Sequence, residues 1–356
     1  MNKTGIRVGV LGASGYGGAG LIRRLSRHPN ATVTALASRQ YQGQPVDACW
    51  PQLAGLFDLR FGTVESVLEA CEVVFCATPH GATAPLVKQA REAGLRVLDL
   101  SADYRLPIDL YEQWYVPHPH PELYQEARYG LVELHRDELA NAKLIAVPGC
   151  NSSTVNLVLA PFAQAGLVTQ SVIADLKVGV SGAGRGQNAQ LQYAELNENV
   201  KPYKVARTHR HTAEVELTLR RIKKQGRQLM THGDALPEAA KVSFNPHLIP
   251  MTRGILATCY IPSETAWTDA ALIGLLNDFY QADPMVYVQT ELPQTKAVTG
   301  SDRCIVSARY DDSGYIVALA ATDNLGRGAA GQAVQNFNLM HGLAETSGLY
   351  KEGIWP

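Results

Sequence analysis

A short apolar run, Ile6-Arg7-Val8-Gly9-Val10-Leu11, is followed without a break by Gly12-Ala13-Ser14-Gly15-Tyr16-Gly17-Gly18. A helical pattern then runs through Leu21, Ile22 and Leu25 and ends near His28-Pro29. A strand that stops on glycines and restarts as a helix narrows the choice of fold. Glycine permits the tight turn, and the N–H groups at the helix start are placed to face a pyrophosphate. Two frames fit the glycines. Gly12, Gly15 and Gly18 begin where the strand ends, whereas Gly15, Gly17 and Gly20 begin several residues later, so the first frame is preferred.

The segments that follow repeat the alternation. ATVTALAS (31–38), EVVFCATP (72–79) and LRVLDLS (95–101) read as strands, with helical stretches such as TAPLVKQAREAG between them. Strand and helix in turn predict a Rossmann-like, doubly wound parallel sheet of α/β class. Beyond Cys150 the pattern changes. GILATCYIPS and DRCIVSARYDDSGYIVALAATDN alternate with a period of two, which predicts a second α+β domain with a largely antiparallel sheet. GRGAAGQAVQNFNLMHGL reads as a helix with a glycine-rich start. The expected division is a cofactor domain over 1–149, completed by the C-terminal helix of 325–356, and a catalytic and oligomerisation domain over 150–324.

The end of the second strand bears on the cofactor. A dinucleotide without a 2′-phosphate usually meets an acidic residue there, whereas Ser38-Arg39 offers a hydroxyl and a guanidinium. NADP(H) is therefore favoured over NAD. Expected contacts are Gly12, Ser14, Gly15, Tyr16 and Gly17 in the turn, Ser38 and Arg39 at the strand end, and Pro79 and Gly182. Charge excludes other classes. With 32 Lys and Arg against 33 Asp and Glu, the net charge of −1 gives no basic surplus for nucleic acid or a membrane surface. Apolar windows are broken before the length a membrane span needs, and glycines interrupt any signal-peptide core. Six cysteines show no CxxC pair and no metal-ligand spacing, so no metal is expected and a reduced, cytoplasmic protein is the simplest reading. The glycosylation-like triplet Asn151-Ser152-Ser153 is then coincidental.

One cysteine stands apart. Cys150 follows Pro148-Gly149 where a strand ends and a polar run, Asn151-Ser152-Ser153-Thr154, opens a helix. A helix N-terminus favours a thiolate, and its N–H groups can hold an oxyanion. A thiolate nucleophile also needs an acid–base partner, and RTHRHTAEVE offers His209 and His211 about 60 residues on. His118 and His120 in PHPHP read as a rigid loop, and His80 lies near the cofactor edge of the first sheet.

Taken in order, the glycine turn, LDLSADYRL, VPGCNSST, GVSGAGRG and THRHTAEVE resemble the N-acetyl-gamma-glutamyl-phosphate reductase family of arginine biosynthesis, over nearly the whole chain. The lysine-biosynthesis reductase of carrier-linked acyl phosphates is also similar, and aspartate-semialdehyde dehydrogenase shares the design more distantly. The resemblance implies that Cys150 attacks an acyl phosphate to form a thioester, that NADPH reduces it to an aldehyde, and that His211 is the acid–base group with His209 the alternative. It also implies Asn324 at the nicotinamide and Arg105 at the departing phosphate, with Asn151, Arg185 and Arg210 as further substrate-binding candidates. The expected substrate is a small acyl phosphate, or a carrier-protein-linked one in the alternative, and the expected assembly is a homodimer or homotetramer. Asn151 departs from the arginine-pathway pattern, which more often has an aromatic residue after the cysteine. A reading of a different class is a non-catalytic NADP-binding protein.

Overall fold

A computed structural model describes residues 5–186, 188–222 and 240–355. The chain groups into two compact units, one of Met1–Gly149 with Ala329–Leu349, the other of Cys150–Gly328 with Tyr350–Pro356.

In the first unit, strands β1 (Ile6–Leu11), β2 (Ala31–Ala37), β3 (Phe61–Gly62), β4 (Val73–Cys76), β5 (Arg96–Asp99), β6 (Ala127–Tyr129) and β7 (Leu144–Ala146) form one sheet in the order β3-β2-β1-β4-β5-β7-β6. Every pairing is parallel. A parallel sheet must be covered on both faces, and alternation along the strands supplies two cores. Val8, Val10, Val73, Phe75 and Leu98 pack with Leu21, Ile22 and Leu25 of the helix Tyr16–Leu25 and with Val334 and Phe337 of the helix Gly331–Met340. Leu11, Val74, Cys76 and Val97 pack with Val67 on one side helix and Val87 and Ala90 on the helix Ala84–Glu92. The strand order reverses between β1 and β4. Dinucleotides bind at such a switch point, outside the carboxyl ends of the strands.

The second unit holds β8 (Val172–Gly179), β9 (Lys201–Pro202), β10 (Val242–Ile249), β11 (Ile255–Pro262), β12 (Val286–Val288), β13 (Cys304–Asp311) and β14 (Tyr315–Thr322), ordered β12-β13-β14-β11-β8-β10-β9. Among the described residues four of its pairings are antiparallel, while β8–β10 and β12–β13 are parallel. The helix Cys150–Gln164 packs on this sheet and on the helices His211–Arg221 and Asp269–Tyr280. Its residues Asn151–Phe162 are all buried, so it is a central helix whose polar first turn must be satisfied inside the protein.

Candidate active site

Two strand-to-helix junctions carry the residues singled out above. At the first, Gly12 has φ of 77°, and a Cβ there would lie 2.4 Å from the Ala77 carbonyl oxygen. The Gly15 N–H donates to Gly12 O at 3.1 Å, and Gly15 occupies the N-cap with no side-chain cap hydrogen bond. A Cβ at Gly18 would lie 2.6 Å from Ala13 Cα, so the third glycine brings the helix close to the turn. The Gly12 frame therefore makes a tight reversal, leaves the helix start without a side-chain cap and packs the helix closely on the turn. Gly17 is under no such compulsion, since a Cβ there would meet Ala77 Cβ at an ordinary 3.8 Å. Tyr16 leans on Trp50, whose indole Nε1 donates to Ala13 O at 2.9 Å. The Ser14 and Ser38 hydroxyls share a 2.7 Å hydrogen bond, which joins the turn to the end of β2, and Arg39 beside them is exposed. Pro79 is exposed too, and its carbonyl accepts from the Thr83 hydroxyl at 3.1 Å.

The SADYRL segment that follows β5 is a knot of buried polar groups in the same unit. Asp103 accepts from the N–H groups of Gly81 (2.7 Å), Thr83 (3.2 Å) and Ala84 (3.0 Å) and from the Tyr111 hydroxyl (3.1 Å), so it caps the helix Ala84–Glu92. Burial, aided by the Asp103 charge, pushes the Asp99 carboxyl up to about 7. Arg105 is buried as well. Its Nε donates to Val147 O and its Nη2 to Leu100 O, both at 2.7 Å. This guanidinium therefore holds the Val147-Pro148-Gly149 strand end, a structural task that the sequence reading did not assign to it. His118 Nε2 meets Asp103 O at 2.7 Å, so PHPHP is pinned to the same knot. His80 Nδ1 accepts from the Ala102 N–H at 2.9 Å.

At the second junction Cys150 is the first residue of its helix and, of the six free cysteines, the one that is not buried. No acidic residue lies in that first turn, so no carboxylate there opposes an anionic sulfur. The Ser153 and Thr154 hydroxyls donate back to Cys150 O at 3.1 and 2.8 Å, and Thr154 Oγ1 meets Thr322 Oγ1 of β14 at 2.7 Å. Gly328 completes the setting. A Cβ there would lie 2.7 Å from Cys150 Cβ, so only glycine fits beside the cysteine. The turn carrying Gly328 is organised by Asp323, whose carboxylate accepts from the N–H groups of Leu325 (2.8 Å), Gly326 (3.1 Å) and Gly300 (2.6 Å).

Asn151 and Tyr203 link the cysteine to the histidines. Cys150 Sγ lies 3.8 Å from Asn151 Oδ1, and Asn151 Nδ2 donates to the Tyr203 hydroxyl at 3.4 Å. Burial, with a further rise from Cys150, pushes the Tyr203 phenol up to about 12. The Tyr203 ring sits edge-on to His209 at 5.6 Å; His209 stacks on Phe244 and meets the His211 ring at 4.8 Å. His209 Nδ1 accepts from the His211 N–H at 3.1 Å, which fixes His209 as a neutral ring with its proton on Nε2. Burial, then the charges of Lys204 and Arg210, lower its pKa to about 4. His211 opens the helix His211–Arg221, which packs on the Cys150 helix through Asn156 Nδ2 and Thr218 Oγ1 at 3.1 Å. Between Tyr203 and His209 the backbone is strained: Lys204, Ala206 and Arg207 have φ of 46°, 54° and 67°. Each such residue costs about 1–3 kcal/mol and persists where its surroundings over-determine it.

The remaining candidates divide. Asn324 is buried: its Oδ1 accepts from the Gly254 N–H at 2.8 Å, and its Nδ2 donates to the Ser181 hydroxyl at 2.9 Å. Gly182 lies beside it, where a Cβ would meet Asn324 Nδ2 at 3.6 Å, and is exposed. Arg185 is exposed, and Arg210 holds the N-cap of the His211 helix. Asn151 is buried, 2% exposed. Sequence reasoning missed Tyr203, Gly328, Asp323 and Asp103. GRG after the last strand was a usable signal for Gly328, because a repeated glycine at a helix start marks a close approach. Tyr203 left none.

Comparison with known proteins adds the family. Residues 7–142 match the semialdehyde dehydrogenase NAD-binding domain family, and residues 150–324 match the semialdehyde dehydrogenase dimerisation domain family. The chain is 50% identical over 352 residues to the N-acetyl-gamma-glutamyl-phosphate reductase of Thermus thermophilus, covering 98% of this chain and 100% of that protein. It is 45% identical over 360 residues to the protein of that name from Symbiobacterium thermophilum, covering 99% of both. Among solved structures, aspartate semialdehyde dehydrogenase II of Vibrio cholerae complexed with ASA superposes with a TM-score of 0.71 at 16% identity, covering 95% of this chain and 98% of that one. The Candida albicans aspartate semialdehyde dehydrogenase with NADP gives 0.67 at 17% identity, with the same coverage. These two show the fold.

Proposed function

Because the chain belongs to the N-acetyl-gamma-glutamyl-phosphate reductase family, we propose that it reduces N-acetyl-gamma-glutamyl phosphate to the semialdehyde and phosphate through a thioester on Cys150. The observation that carries this reading is Cys150 at the head of a buried helix, with no acid in its first turn and a histidine-led helix packed alongside. The Cys150 thiolate attacks the acyl carbon; a C–S bond forms, the C–O bond to phosphate breaks, and phosphate leaves with the electron pair. N–H groups at the helix start favour both the thiolate and the oxyanion. The hydride that takes the thioester to the thiohemiacetal level comes from NADPH, when that cofactor is bound. His211 gives a proton to the oxyanion so formed, then removes it from the hydroxyl as the C–S bond breaks and the aldehyde leaves. His211 is favoured over His209 because His209 is held neutral, with Nδ1 accepting the His211 N–H.

The residues fit NADP. The Gly12–Gly15 turn offers a helix start without a side-chain cap to a pyrophosphate, and Ser14 bonds Ser38 at the end of β2, where Ser38-Arg39-Gln40 holds no acid to repel a 2′-phosphate. Arg105 is proposed to face the departing phosphate from its seat on the Leu100 and Val147 carbonyls, with Asn151, Arg185 and Arg210 toward the rest of the substrate and Asn324 toward the nicotinamide. Among the described residues no helix is long and apolar enough to cross a membrane, and a cytoplasmic location is proposed. The match to a dimerisation domain, with Ile173 and Tyr315 exposed on its sheet, supports a homodimer or homotetramer. The test is mass spectrometry of the quenched reaction without NADPH, which should find the acyl adduct on the peptide containing Cys150; an adduct elsewhere, or none with either a free or a carrier-linked acyl phosphate, rejects the mechanism.

A further inference from the structure

The mechanism above gives no task to the ion pair beside the histidine segment. Arg207 and Glu216 meet through both guanidinium Nη atoms and both carboxylate oxygens, the Nη2–Oε2 contact being 3.3 Å. Glu216 Oε1 also accepts the Val242 N–H at 2.8 Å, and the Glu216 side chain is 14% exposed. One carboxylate thus ties together the segment before His211, the helix His211–Arg221 and the start of β10. That segment has three left-handed non-glycine residues, and Arg207 is the last of them. It is also tethered by Ala206 N–H to Asn245 Oδ1 and Tyr203 N–H to Pro246 O, each 3.1 Å, by the Tyr203 hydroxyl on Asn151 and by the stacking of His209 on Phe244. Two residues past Arg207 stands His209, which takes the His211 N–H on Nδ1. A bidentate guanidinium–carboxylate pair fixes orientation as well as distance, which is what a strained segment needs if two rings are to keep their places.

We propose that Arg207 and Glu216 are a positioning pair that holds the 203–210 segment in its left-handed course and thereby fixes His209 and His211 for proton transfer at Cys150. The pair acts through the histidines, and its catalytic consequence rests on the reductase reading. Glu216→Gln keeps shape and the Val242 acceptor but removes the charge; Arg207→Lys keeps charge but loses the fork, and Arg207→Gln loses both. In the full chain, histidine ring NMR titrations should show the His211 midpoint moved by about half a pH unit or more in Glu216→Gln and Arg207→Gln. With acyl phosphate and NADPH, kcat should fall on the order of 10–100-fold with little change in KM, as expected of a misplaced proton donor. Arg207→Lys should recover part of what Arg207→Gln loses, and the double glutamine variant should lose no more than either single one. The proposal is overturned if the His211 titration matches wild type in both glutamine variants, if their kcat losses add in the double variant, or if only the melting temperature moves. A wild type that fails to reduce acyl phosphate while its His211 titration still responds to Glu216→Gln would sink the reductase reading and leave the positioning pair standing.

Discussion

The two strand-to-helix junctions apply the same electrostatics in opposite ways. At the glycine turn the helix Tyr16–Leu25 starts bare: Gly12 and Gly15 carry no side chain and no side chain caps the first N–H groups. At Cys150 the helix starts full, with the thiol in place and Ser153 and Thr154 folded back on the Cys150 carbonyl. Neither first turn holds an acidic residue. An empty helix start is suited to an anion that arrives with a ligand; a start that carries its own sulfur is suited to an anion made on the protein. The proposed roles of the two junctions, cofactor binding and nucleophilic attack, follow this difference in composition.

Removing the sulfur should break the contrast most severely. Cys150→Ser puts a far less ionised group at the same site, and turnover should fall by several orders of magnitude in a coupled NADPH assay. Alkylation near neutral pH should label Cys150 before the five buried cysteines. His211→Ala should cost roughly 10²–10⁴-fold and flatten the pH–rate profile, the worth of a general acid–base group. Near-normal turnover in Cys150→Ser would erase the distinction between the junctions.

Side chains added at the empty junction sharpen it next. Gly12→Ala faces a positive φ and the Ala77 carbonyl, so it should lower the melting temperature as well as cofactor affinity. Gly15→Ala meets only Gly12 O at 3.5 Å with an extended φ of −84°, so the fold should tolerate it. A loss of NADPH affinity in Gly15→Ala without a change in melting temperature would then report the ligand directly, and equal affinity would show that the pyrophosphate lies elsewhere. A smaller effect is expected of Arg39→Asp, which replaces attraction to a 2′-phosphate by repulsion. NADPH should bind at least roughly tenfold more weakly and NADH nearly unchanged, as read by fluorescence titration.

The two junctions were also the most legible parts of the sequence. The strand Ile6–Leu11 was read to the residue, because apolar alternation and glycine signals coincide there. The period-two alternation across Cys304–Asp311 and Tyr315–Thr322 was legible for the same local reason. Two-residue strands such as Lys201–Pro202 carry no period to detect. Parallel pairing of β8 with β10 joins residues some 70 apart in a unit otherwise read as largely antiparallel. At the candidate site, Cys150 and the two histidines stood out in the sequence because their types are rare and their surroundings local. The Asn151–Tyr203 contact, the Arg207–Glu216 pair and the Gly328–Cys150 approach depend on long-range packing, which no short window encodes. Arg105 shows the converse: its motif was noticed, but its hydrogen bonds to Leu100 and Val147 could be seen only in the fold.

The smallest expected effect concerns how the filled junction is supported. His209 has a folded pKa lowered from 6.5 to about 4, first by burial and then by Lys204 and Arg210. Between those values the unfolded chain binds a proton that the folded chain refuses. Its contribution to stability is therefore present above about pH 6.5 and is lost as pH falls toward 4. His28, His118 and His341 are lowered by burial in the same direction, so the wild-type curve alone assigns nothing to His209. The difference between wild type and His209→Asn does. Asparagine offers a carbonyl oxygen for the His211 N–H and has no proton to refuse, so denaturant titrations should show a shallower fall in stability from pH 6.5 to 4, the slopes differing by no more than about one proton. Above pH 7 the two proteins should differ only by the lost stacking on Phe244 and Tyr203. Parallel curves would mean that His209 takes up its proton at the same pH folded as unfolded, and its assignment as a neutral ring would have to be abandoned.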